Sequence, residues 1–341
     1  MRVGVLTGGG DCPGLNAAIR AVVMRLHDLG HESIGISQGW LGLIEGSTEP
    51  LIPAQVEEII SQGGTILGAS RTNPFKKDED LEKCLANIKS LKLDAIVALG
   101  GEDTLGVASN LFKLGVNTVG VPKTMDNDLS QTDYTFGFDT AVSVAVEAVD
   151  RLRDTAKSHR RVMVLDVMGR HAGWVALYTG MAGGADWILI PEVTPDLDEM
   201  CDHLVKVRQR GKLYSIVVAS EGIDLPQADE ETVSTDVFGH PILRERGVGG
   251  YLQDEIERRT GFEARSAVLG HIQRGGPPTM FDRILATRLG LKAAEMVNAG
   301  EFGRMSAIQS NQIVSADLAL AVSELKTVPI ELYEEAKLLF K

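Results

Sequence analysis

The sequence predicts an α/β protein built on parallel sheets with helices on both faces, and three observations carry that prediction. Short apolar runs of strand length alternate with longer segments of helical period almost throughout the chain. Each run closes on a turn rich in glycine or polar residues, as strand-to-helix connections do. At 341 residues, with 44% apolar and 24% charged residues, the chain has material for two domains, each with a full core.

Taken in order, residues 3–7 (VGVLT) read as a first buried strand. Residues 15–29 follow as a helix, with apolar side chains at 15, 18, 19, 22, 23, 26 and 29. Residues 95–99, 118–121, 162–167, 187–190 and 214–219 are further strands. Helical periods follow at 138–153 and at 197–210, the latter behind the N-cap candidate Asp196. Residues 224–250, polar and glycine-rich, break the rhythm and are expected to form an inserted surface loop with room for a short hairpin. In parallel α/β sheets ligands bind beyond the carboxyl ends of the strands, so the turns after these strands are the places to look.

Composition narrows the field of ligands. A net charge of -13 argues against nucleic acid or an anionic membrane surface as partner. Aromatic residues at 5% leave little for stacking on bases. Cys12, Cys84 and Cys201 form no CxxC pair, which fits a reducing compartment and offers no zinc framework. Met1-Arg2 leads directly into the first strand, and no apolar run approaches the length of a membrane span. The expectation is a cytoplasmic protein.

Six strand-end turns carry the chemistry. In the first, Gly8, Gly9 and Gly10 let a ligand approach the backbone at the start of a helix. It is neither GxGxxG nor a P-loop, so an anion cradle and a ligand-free tight turn both stay open. In the second, Glu102 and Asp103 follow Gly100-Gly101; two carboxylates here either hold Mg²⁺ against phosphate oxygens or cap the helix beginning near Thr104. The third presents Lys123, Thr124, Asp126 and Asp128, where one aspartate accepts a hydroxyl proton while a neighbour takes metal. The fourth adds Arg170 and His171, and the fifth Glu221, placed to accept sugar hydroxyls. The sixth brings Arg265, His271 and Arg274 along one strand-like segment, a basic set suited to a phosphate ester in an acidic chain. Together they point to Mg²⁺-assisted phosphoryl transfer to a phosphorylated small molecule.

The motifs GGGDCPGLNAAIR, GGEDT, PKTMDND, VMGRHAG and LGHIQRGG, in this order, resemble the 6-phosphofructokinase family over residues 3 to about 288. The resemblance implies two similar Rossmann-like domains with mainly parallel sheets and an active site in the cleft between them. On the family pattern, residues 1–138 plus about 273–323 make the larger domain with the phosphoryl-donor site, and 139–272 plus about 324–341 the smaller, sugar-phosphate domain. It implies Asp126 as the general base for the 1-hydroxyl of fructose 6-phosphate, with Thr124 near the transferred phosphoryl and Asp128 near metal and sugar. Met168, Gly169 and Arg170 line the sugar, Glu221 binds its hydroxyls, and His271 and Arg274 hold its 6-phosphate. Gly10, Arg71, Asp103, Thr104 and Lys123 fall on the donor side, and Glu102 and Asp128 toward Mg²⁺. Arg161 and Arg265 match positions that reach into a neighbouring subunit's site, which implies a homodimer or homotetramer with shared active sites.

The donor is read from two departures. ATP-using relatives carry GGDGS and PGTIDND where this chain has GGEDT and PKTMDND, so Asp103 and Lys123 each replace a glycine. A carboxylate takes the room of the nucleotide's α-phosphate and repels it, while the lysine supplies a cation to a pyrophosphate and to the phosphate that leaves. Both resemble the pyrophosphate-dependent branch, with an ATP-dependent enzyme as the alternative. No GxGxxG fingerprint with a downstream acidic residue supports a nicotinamide-dependent oxidoreductase.

Overall fold

In the computed structural model, residues 1–225 and 247–340 are described here. The strands, in chain order, are β1 (Arg2–Thr7), β2 (Glu32–Ile36), β3 (Thr48–Pro50), β4 (Ala95–Gly100), β5 (Thr118–Pro122) and β6 (Val162–Val167). They continue with β7 (Trp187–Leu189), β8 (Ser215–Ser220), β9 (Ala264–Val268), β10 (Arg304–Gln309) and β11 (Gln312–Asp317). The helices run α1 (Leu15–Asp28), α2 (Trp40–Glu45), α3 (Pro53–Val56), α4 (Asp78–Ser90), α5 (Glu102–Lys113) and α6 (Phe138–His159). After them come α7 (Trp174–Gly183), α8 (Leu197–Gln209), α9 (Val248–Thr260), α10 (Met280–Ala299), α11 (Leu318–Ala321) and α12 (Ile330–Lys337).

The chain divides into two compact units, Met1–Thr140 with Arg274–Leu325, and Ala141–Gln273 with Lys326–Lys341. The first holds a sheet in the order β11-β10-β5-β4-β1-β2-β3. Its inner pairs β1–β2, β1–β4, β4–β5 and β5–β10 are parallel. Only the edge pairs β2–β3 and β10–β11 turn antiparallel. The second holds the sheet β7-β8-β6-β9, parallel throughout.

Burial explains the sequence pattern. Every residue of β4 (AIVALG) is buried, as a strand covered on both faces must be. Removing Ile96, Val97 or Leu99 from water is worth about 2 kcal/mol apiece. In the first unit Leu6, Ile96, Leu105, Leu111 and Met305 share one core, and in the second Val164, Leu204, Val217, Leu252 and Ile256 share another. Asp196 does cap α8, its Oδ1 accepting the Glu199 N–H at 2.8 Å.

The long break at 224–250 lies mostly outside the described residues, including any hairpin. Its end does not behave as loop: Val248 opens α9 behind Gly247, and Val248 is buried. Among the described residues no helix is long and apolar enough to cross a membrane.

Candidate functional site

In the first unit β1, β4 and β5 are neighbours, so their carboxyl ends deliver three loops to one edge. Backbone bonds stitch the loops together: Gly8 N–H donates to the Leu99 carbonyl (3.0 Å) and Lys123 N–H to the Gly100 carbonyl (3.0 Å). Gly9 N–H donates to the Ser70 carbonyl (3.1 Å), which draws the segment bearing the exposed Arg71 alongside. Thr104 is buried, its side chain packed on Gly8 and Gly100, so it spaces the first two loops.

Lys123 is 4% exposed, and its ammonium donates to the Gly10 carbonyl at 2.5 Å. Arg274 lies over the same glycine: a Cβ on Gly10 would stand 1.9 Å from Arg274 Nη1 and would push the guanidinium aside. Burial, then Arg274, push the lysine below its ordinary pKa, while Cys12, Asp126 and Asp11 pull the other way. Two cations gathered on a glycine loop that feeds a helix N-terminus is an arrangement that favours a polyanion.

Glu102 and Asp103 do not cap α5. The N-cap is Gly101, with no side-chain cap bond, and both carboxylates sit inside the first turn, where the helix dipole favours them. In the third loop, Thr124 Oγ1 accepts the Asp126 N–H at 3.1 Å. Asp126 Oδ1 is buried and has no hydrogen-bond partner, which for a buried carboxylate oxygen calls for an explanation by function. Loss of solvent, then Asp126, then Glu102 raise the Asp128 carboxyl to about 7, against its own backbone amide and Lys123. Carboxylates that crowd each other in this way suit a cation. Among the described residues no three such side chains form a metal cage by themselves. A magnesium ion that takes most of its oxygens from water and phosphate needs none.

In the second unit, β6 and β8 end side by side and carry Met168–Arg170 and Glu221. Ser220 Oγ donates to the Gly169 carbonyl at 2.5 Å. A Cβ on Gly222 would lie 2.0 Å from the Arg170 carbonyl, so glycine there is what lets the two loops touch. Gln273, buried at 0% exposure, accepts the Met168 N–H through Oε1 (2.8 Å) and donates to the Ala141 carbonyl (3.3 Å). Sequence reasoning passed over Gln273, although it stands between His271 and Arg274 in a motif already singled out.

The sixth segment is not one strand. β9 ends at Val268, Gly270 takes a positive φ of 49°, and Gly270–Arg274 winds into a 3₁₀ turn. The unit boundary falls between Gln273 and Arg274, which leaves the exposed His271 in the second unit and puts Arg274 against Gly10 in the first. Arg161 and Arg265 converge on Glu263, each at 2.7 Å, and Arg265 also meets Glu257 at 3.1 Å.

Comparison with known proteins decides what this geometry belongs to. The family model described as Phosphofructokinase matches residues 2–297. The chain belongs to the phosphofructokinase family. It is 53% identical to a pyrophosphate–fructose 6-phosphate 1-phosphotransferase of Dictyoglomus thermophilum, over 100% of this chain and 99% of that one. It is also 50% identical to ATP-dependent 6-phosphofructokinase 3 of Streptomyces coelicolor, over 99% of each. Among solved structures, Pichia pastoris phosphofructokinase in the T-state matches with a TM-score of 0.83 at 31% identity, covering 94% of this chain and 35% of that one. Phosphofructokinases are phosphotransferases that generally need a divalent metal, and the crowded carboxylates beyond β4 and β5 of this one fit that need.

Proposed function

We propose that this phosphofructokinase reversibly transfers a phosphoryl group from pyrophosphate to the 1-hydroxyl of fructose 6-phosphate, giving fructose 1,6-bisphosphate and orthophosphate. The observation that carries the donor is the buried Lys123 ammonium lying on the Gly10 carbonyl. A lysine so placed fills space a nucleotide chain would need and leaves its charge for a compact anion. Asp103 in the first turn of α5 adds a like charge against any longer phosphate chain.

Asp126 takes the proton of the 1-hydroxyl through its unpartnered Oδ1; the oxygen attacks the near phosphorus of pyrophosphate, and the bridging P–O bond breaks to release orthophosphate. Lys123 steadies the donor and the departing phosphate, with Gly10, Arg71 and Thr104 shaping that side. Thr124 and Arg170 face the moving phosphoryl group, and Arg170 balances its charge. Met168, Gly169 and Glu221 seat the sugar; His271 and Arg274 take the 6-phosphate, with Arg161 and Arg265 of a second subunit in a homodimer or homotetramer. Glu102 and Asp128 would hold Mg²⁺, which would supply charge neutralisation to the phosphate oxygens.

A second reading, ATP as donor, is favoured by the relatives named ATP-dependent 6-phosphofructokinase, the Streptomyces protein at 50% identity among them. Initial rates on fructose 6-phosphate with Mg²⁺ and either pyrophosphate or ATP as sole donor separate the two. Turnover with pyrophosphate is the expected result, with Asp103→Gly widening donor choice. Turnover with ATP alone would remove the donor assignment and leave the acceptor standing.

A further inference from the structure

The loop that carries Asp126 and Asp128 adopts a conformation its own residues resist. Asn127 sits at φ +54°, a left-handed backbone that a non-glycine residue enters at a cost. On either side of it stand two carboxylates, two positions apart, that repel each other. Left alone, such a turn would relax and spread the pair.

What opposes relaxation is a closed ring of hydrogen bonds at the neck of the loop. Thr135, at 0% exposure, donates its hydroxyl to the Thr124 carbonyl at 2.5 Å. Its backbone N–H donates to Asn127 Oδ1 at 3.0 Å, and Asn127 is 1% exposed. Thr124 in turn accepts the Asp126 N–H on its own hydroxyl at 3.1 Å. Lys123 and Phe136 complete the neck as an isolated parallel bridge. The outer part of the loop is pinned separately, with Ser130 Oγ donating to the Leu320 carbonyl (2.9 Å) and Thr132 Oγ1 accepting the Ile308 N–H (3.1 Å). Beside this ring Asp126 Oδ1 is buried and has no hydrogen-bond partner. A turn closed by these bonds next to a free carboxylate oxygen is preorganised for that atom's work.

We propose that Thr135 and Asn127 form a clasp that positions Asp126: they touch no substrate, and they hold the base's backbone at the angle from which its free oxygen meets the sugar hydroxyl. The inference rests on the phosphotransferase reading for its kinetic consequence, but not for its structural one. Thr135 lies outside the six strand-end turns, seven residues beyond Asp128.

Three variants of the full-length chain test it. Thr135→Val removes the hydroxyl at nearly constant volume. Thr135→Ser restores it without the methyl. Asn127→Gly removes the Oδ1 acceptor while relieving the positive φ, so it keeps its fold even where the valine variant does not. Steady-state rates on fructose 6-phosphate and amide hydrogen exchange over 124–135 are read on each. The clasp predicts that Thr135→Val and Asn127→Gly lose kcat by about tenfold or more with KM for the sugar within about threefold, since misplacing a base by a fraction of an ångström acts on the transition state. Thr135→Ser stays within about threefold of the parent in kcat. Exchange over 124–135 rises about tenfold in the two broken variants and not in the serine one. Unchanged kcat in Asn127→Gly, or unchanged exchange, overturns the proposal. A parent chain that turns over neither pyrophosphate nor ATP would defeat the functional reading instead, and exchange alone would then decide the clasp.

Discussion

At the scale of single residues, the side chains held at a cost to folding mark the site. Lys123 is buried, and its pKa lies below the ordinary 10.5 because burial penalises the ammonium. The sign follows directly: between the lowered folded value and 10.5 the unfolded chain binds more protons than the folded one, so stability rises with pH across that window. Below that window the folded protein carries a desolvated cation that weakens it. Lys123→Met, which keeps the length and discards the charge, should hold or raise the melting temperature at pH 7 and abolish the rise on the alkaline side. The same change should lower kcat/KM for pyrophosphate by about 10²- to 10³-fold, as loss of one charge-stabilising donor does. Thermal melts from pH 7 to 10.5 and rates with pyrophosphate check both parts. A large loss of stability at pH 7 would mean that Lys123 is structural and that its bond to Gly10 serves the fold.

At the scale of elements, both units place a buried carboxylate at the N-terminus of a helix. Asp282, in the first turn of α10, accepts from Thr140 N–H (2.8 Å) and Thr140 Oγ1 (2.5 Å) at the start of α6. Asp166, on β6, accepts the Gly249 N–H at 3.1 Å at the start of α9. Burial raises both to about 6. For Asp166 the folded chain holds the proton between 3.8 and about 6 where the unfolded chain has lost it, so stability falls as pH climbs through that window. The nominal cost above it is on the order of 2–3 kcal/mol. Asp166→Asn keeps an oxygen for Gly249 and removes the charge, so it should raise the melting temperature by several degrees at pH 8, with the gain fading toward pH 4. A variant less stable than the parent at pH 8 would show that the ionised cap outweighs its burial. These two caps were illegible beforehand, because both join residues more than eighty positions apart, and periodicity carries no such pairing. What was legible lay where local pattern and tertiary demand coincide. The apolar run ending at Leu99 is a strand buried on both faces, and the period at 15–29 gave α1 within one residue of its end. The segment 263–276 misled because its residues have strand propensity through Val268, while the turn at Gly270 is imposed by a positive φ no composition announces. Of the site, the glycines and charged side chains were readable as types at strand ends; Gln273 and Thr135, neutral and fully buried, were not.

At the scale of the whole molecule, the candidate residues are shared between two units. Asp126, Asp128, Lys123 and Arg274 lie in the first, and Arg170, Glu221, His271, Arg161 and Arg265 in the second. Arg161 and Arg265 are each already paired with Glu263 within their own unit. Exchanging those exposed ion pairs for a phosphate dianion costs little, because surface pairs are weak and easily traded. The proposal that both arginines serve a neighbouring subunit's sugar phosphate therefore makes a prediction that no property of one chain can mimic. A chain with Asp126→Asn and a chain with Arg161→Ala and Arg265→Ala should each be nearly inactive alone. In a mixed dimer of the two, one site combines a dead base with missing arginines, and the other combines an intact base with intact arginines. Each purified mixed dimer therefore has one working site of two, so about half the parent activity per dimer returns. Co-expression of differently tagged chains, tandem purification of the mixed species and rates with pyrophosphate measure it. Recovery at that level places the arginines in trans. No recovery from a mixed species that sediments as the parent does would return them to their own chain's site, and the exchange of Glu263 for phosphate would then occur within one subunit.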